Sequence, residues 1–195
     1  MEEIQRLILK SKALRKKRQI REAIELLNKA HEIGIQQNAV DDLVDVHNQL
    51  LLLHYQNNNL DMFQKSFNFA RTLAVKINYN RGLVETYMNK AWIETDNENF
   101  IEAITHASQA LAIDEILENA PAFTTALYII SEANYKVGDL EKGDKYKQLY
   151  QQKLMRLTES EEEMLKSIEG LSVGMTKEED LDARVKQALN ELDSF

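Results

Sequence analysis

Four histidines, one basic run and an abundance of carboxylates are the side chains here from which chemistry would have to be built. The histidines are His31, His47, His54 and His106. His47 and His54 stand seven apart, close to two helical turns, so on a helix they roughly share a face. No acidic ligand stands obviously beside them, and core or boundary positions suit them better than a metal site. The chain has no cysteine, which removes disulfides, thiolate metal sites and thiol nucleophiles. It has no glycine-rich phosphate loop, no HExxH and no calcium-loop spacing. A Ser/His/Asp constellation is recognised in space, and no spacing here argues for one. The sequence reads as that of a non-enzymatic protein with no cofactor and no metal.

The run KSKALRKKRQIR (10–21) is the one nucleic-acid signal. It crosses a helix, a turn and a helix start without interleaved aromatics, in a chain of net charge −8. Nucleic acid is therefore not an expected partner of this chain. Charge is also polarised. Residues 1–40 hold nine Lys/Arg against five Asp/Glu, whereas residues 158–195 hold four against eleven. Such asymmetry can steer a partner or orient self-association, or reflect two solvated ends. No secretory signal is visible and no window is apolar enough to span a bilayer. A soluble, cytoplasmic protein without membrane contact is the expectation.

What must position any site is a periodic set of helices. Phe100 to Asp114, FIEAITHASQALAID, places Ala103, Ala107 and Ala110 on one stripe, beside Phe100, Ile104 and Leu111. Small residues there let a neighbouring helix approach closely. Ile20, Ala23, Leu27, Ala30 and Ile33 match the same design 80 residues earlier. Leu60, Phe63, Phe67, Ala70 and Leu73 lie halfway between, and Leu140 and Gly143 one step beyond. A period of 40 residues, seen four times without drift, is the signature of a helical repeat array. One proline and six glycines leave the helices little interrupted.

The periodicity predicts helices over 2–17, 19–34, 41–57, 60–76, 83–95, 100–113, 122–137 and 140–157. Gly34 reads as a C-cap, 77–82 and 114–121 as connectors, and Gly138-Asp139 as a turn. Residues 1–157 thus form four helix pairs. Residues 158–195 depart from the repeat as acidic C-terminal helices. Residues 160–170 read as one amphipathic segment and 171–176 as a loop. A last helix, with Leu181, Val185, Ala188, Leu189 and Leu192 on one face, either caps the array on 140–157 or docks another subunit.

Over residues 2–157 this pattern resembles the tetratricopeptide repeat (TPR). The second helix of that repeat carries a small residue, a large one four later and a small one seven later. Ala23/Leu27/Ala30 and Phe63/Phe67/Ala70 follow it with substitutions, and Ala103/Ala107/Ala110 departs in the middle. The tryptophan position of the first helix is held by Leu7, His47, Tyr87 and Leu127, and the small residue four later by Ser11, Leu51, Ala91 and Ser131. The usual glycine is therefore absent, and the repeat is longer than the family's. The resemblance implies an all-α, right-handed superhelical solenoid of antiparallel helix pairs whose first helices line a concave groove. Carried over to this chain, the groove positions include Lys12, Arg15 and Lys16; Asn48 and Tyr55; Asn89 and Trp92; and Tyr128, Glu132 and Tyr135. Amides that bond both donors and acceptors, aromatics of large contact area and a basic end suit an extended peptide. The leading expectation is a peptide- or protein-binding scaffold. The alternative is a dimerisation or sensory module of a larger regulator, with a homodimer left open.

Overall fold

The computed structural model describes residues 2–114 and 121–172. Among them every regular element is an α-helix: α1 Glu2–Lys16, α2 Ile20–Gln37, α3 Val40–Gln56, α4 Leu60–Ile77, α5 Asn80–Asp96, α6 Phe100–Asp114, α7 Pro121–Val137 and α8 Leu140–Ser172. The chain divides into two compact units, Met1–Tyr150 and Gln151–Phe195. α8 runs unbroken past residue 158 to Ser172, where the sequence suggests a separate segment and then a loop. The expected last helix lies outside the described residues.

The 40-residue period resolves into two 20-residue steps of helix and turn. Arg18, Asn38, Asn58, Asn78, Glu98 and Gly138 all have positive φ, between 53° and 86°. Five of the six fall at exact intervals of twenty, and Gly138 two intervals after Glu98. The residue after each donates its backbone N–H to the carbonyl five positions back, at 2.8–3.0 Å. This is the long bond of a Schellman stop, which satisfies a carbonyl the helix end would otherwise leave open. Asn38 therefore ends α2. Gly34, which the sequence suggests as the cap, sits buried inside the helix. A Cβ there would lie 2.7 Å from Leu43 Cδ2, so the glycine admits the start of α3. Pro121 opens α7, the position where a missing N–H costs least.

Within the first unit the helices pack as pairs, α1 with α2, α3 with α4 and α5 with α6, and each even helix packs on the next odd one. The odd helices also touch in series, α1–α3, α3–α5 and α5–α7, and no two even helices pack to that extent among the described residues. Two layers result, one in mutual contact and one spaced apart. The core lies between them. Ala103, Ala107 and Ala110 are at most 1% exposed and meet Val84, Met88 and Ala91 of α5 and Ala126, Ile129 and Ile130 of α7. A second cluster joins Ile4, Leu7 and Ile8 to Ala23, Leu27 and Ala30, and to Val46, Leu50 and Leu53.

Candidate functional site

Polar rungs tie the odd helices together. Gln5 Nε2 of α1 donates to Asp42 Oδ1 of α3 at 2.6 Å. From α3 to α5, Gln49 Nε2 donates to Glu85 Oε1 at 3.0 Å and Asn48 Nδ2 to the Gly82 carbonyl at 3.0 Å. Thr86 Oγ1 donates to Asn48 Oδ1 at 2.8 Å, and Asn89 Nδ2 to the Asn48 carbonyl at 3.3 Å. The sequence places Asn48 in the groove, and the structure corrects this. Its side chain is 0% exposed and both ends of its amide hold α5. Asn89 is half-buried with its donor engaged in the same joint. Buried amides must be paired, and on this layer they pair across helices.

Burial raises two carboxylates of this layer, Asp45 and Glu85. Burial, then the charge of Glu85, pushes Asp45 up to about 6, against hydrogen bonds from Tyr79 and Gln5. Tyr79 Oη donates to Asp45 Oδ1 at 3.2 Å, and burial with the nearby Asp45 raises that phenol to about 12. Burial also raises Glu85, which the charges of Lys12, Arg81 and Arg15 and the Gln49 hydrogen bond draw back down. Lys12 and Arg15 thus already face an acid of α5. Lys12 and Lys16 are exposed and Arg15 is half-buried.

At the other end of the layer, three expected site residues come together. Trp92 and Thr95 of α5 with Phe100 of α6 form one wall of a cleft of about 210 Å³. Tyr128, Ile129, Glu132, Ala133 and Lys136 of α7 form the other. Trp92 and Tyr128 are each 44% exposed. Thr95 donates its hydroxyl back to the Ala91 carbonyl. Phe100 is the lining residue that groove positions on first helices miss, since it comes from a second helix. Its place directly after the α5–α6 turn is the signal that it can reach over.

Tyr55 and Tyr135 stand apart from this cleft. Tyr55 Oη donates to Asn97 Oδ1 at 2.9 Å, tying the end of α3 to the α5–α6 turn. Tyr135 turns toward α8, where its ring fills the space left by Gly143 and its hydroxyl donates to Asp144 Oδ1 at 2.6 Å. That bond raises the Tyr135 phenol.

His54 is buried and His47 half-buried, the core and boundary positions the sequence suggests for them. His47 pairs with His31, Nε2 to Nδ1 at 3.1 Å, and stacks on Phe69 with ring centroids 3.9 Å apart. Burial, then the neighbouring His31 and His54, lowers His47 to about 3, so the ring is neutral. His47 Nδ1 is buried without a hydrogen-bond partner. Its proton therefore belongs on Nε2, donated to His31, because an orphaned donor costs more than an orphaned lone pair. Among the described residues no three side chains are grouped to hold a metal ion, and no helix is long and apolar enough to cross a membrane.

No family model matches this chain, and no curated protein matches it either. Solved structures do match by shape. The chain is similar to BtubC (BKLC) from P. vanneervenii, with a TM-score of 0.66 at 12% identity over 78% of this chain. The match spans 63% of the length of that protein. It is also similar to the TPR domain of Arabidopsis FLU, with a TM-score of 0.54 at 20% identity, over 60% of this chain and 98% of that domain. The fold is an all-α helix-pair solenoid of TPR-like arrangement.

Proposed function

We propose that this protein is a non-enzymatic binding module that takes an extended peptide or protein segment along the layer of odd-numbered helices. The observation that carries this is the cleft between α5 and α7. Two large aromatics are left 44% exposed beside apolar neighbours, on a layer whose buried amides are engaged internally. Aromatic anchors in a concave apolar setting are where binding energy concentrates. The exposed bases Lys12 and Lys16 offer a second contact at the α1 end for an acidic side chain or a free carboxylate.

The test is a pull-down from native lysate with the intact chain, compared with Trp92→Ala/Tyr128→Ala and with Ile101→Ala. Ile101 is a control on α6, 61% exposed and outside the cleft. Partners retained by Ile101→Ala and lost by the cleft variant support the proposal. Partners lost only on deletion beyond Gly170 would transfer the function to the C-terminal segment, as expected of a dimerisation module.

A further inference from the structure

Resting on that reading, we infer that the cleft accepts a basic side chain, arginine or lysine, of the bound segment. The exposed lining is mostly apolar, with Trp92 and Tyr128 each 44% exposed beside Phe100, Ile129 and Ala133, and with the Tyr128 ring also against Tyr150 at 5.8 Å. Glu132 also lines the cleft, a half-buried residue without an ion-pair partner among the described residues. Lys136, one turn further along α7, does not close on it. The last turn of α5 carries Asp96 and no base.

An aliphatic or aromatic side chain would fill this space but cover Glu132 with no counter-charge, and an unpaired carboxylate resists desolvation. An acidic side chain would meet Glu132 directly. A basic side chain satisfies both features. Its methylene stem lies on apolar surface while the charged head stays at the edge. There the head is attracted by the faces of Trp92 and Tyr128 and by the carboxylate. Arginine gains further from planar stacking on the indole. Lys136 is exposed and sits in the last turn of α7, where a cation answers the negative end of its own helix.

The experiment selects a random dodecapeptide display library on the intact protein. Recovered peptides are then titrated while the fluorescence of Trp92, the sole tryptophan, is read. The expected result is peptides that perturb Trp92 saturably and share an arginine or lysine. Its replacement by methionine, or Glu132→Gln in the protein, weakens binding by about tenfold. Tyr128→Leu weakens it while keeping the apolar surface and the reporter. Peptides that perturb Trp92 without a basic residue, or indifferently to Glu132→Gln, overturn this inference and leave the cleft as a binding site. Absence of any peptide that perturbs Trp92 overturns both.

Discussion

Arg18 and Glu98 occupy left-handed backbone at φ 61°, where the equivalent turns use asparagine or glycine. An L side chain there costs roughly 1–2 kcal/mol, part of which glycine recovers after its extra unfolded-state entropy. Both side chains are exposed, so Arg18→Gly and Glu98→Gly should each raise unfolding free energy by up to about 1 kcal/mol in urea titrations. A loss of stability would mean that these side chains make contacts the turn depends on. Two buried titrations oppose each other. The unfolded chain protonates His47 near 6.5, the folded one only near 3. Its contribution is therefore complete above pH 6.5 and lost as pH falls toward 3. Asp45 runs the other way: folded near 6 against 3.8 unfolded, its contribution is present below 3.8 and lost as pH rises through 6. His47→Leu should flatten the acid slope of stability, and Asp45→Asn should stabilise at pH 7.5 more than at pH 4. Thermal melts across pH 4–8 read both, and unchanged slopes would contradict the burial of these groups. None of this was legible from residue types. Nothing in arginine or glutamate announces a left-handed turn, and the His31–His47 pair joins two helices whose facing sides the periodicity does not fix.

The elements were far more legible. Ala103, Ala107 and Ala110 mark a buried stripe because a 3.6-residue period with small side chains has one close-packing solution. Ala103→Trp should cost about 1–3 kcal/mol through overpacking. A melting temperature unmoved by it would put Ala103 on the wrong face. The 40-residue register likewise brought Trp92, Tyr128 and Glu132 to one layer. It failed at Asn48 for a physical reason. Gly82 leaves room for α3 to approach α5, with a Cβ there only 2.7 Å from Val44. That approach seals the amide between the helices. Tyr135 failed similarly, because Gly143 opens a gap on α8 that the ring fills. Asn48→Ala should therefore lower stability by about 1 kcal/mol through the lost amide hydrogen bonds, while the Thr86 hydroxyl keeps the Gly82 carbonyl as its acceptor. Chemical denaturation measures the cost, and no change would return Asn48 to the binding surface.

In the first unit as a whole, the two layers divide the work. Even helices carry the small-residue stripes that set spacing. Odd helices carry the polar rungs that hold them in series, and at one end the aromatic cleft. This division builds a continuous surface out of contacts between neighbouring helices, as expected where each repeat touches its neighbours. If this cleft is the working surface, the indole of Trp92 senses the bound segment. The most direct measurement is the indole N–H resonance of Trp92, a single peak in a chain with one tryptophan, followed as a recovered partner segment is added. The expected result is a peak that shifts saturably with the same dissociation constant as binding itself. A partner that binds fully while the indole peak stays in place would contradict it.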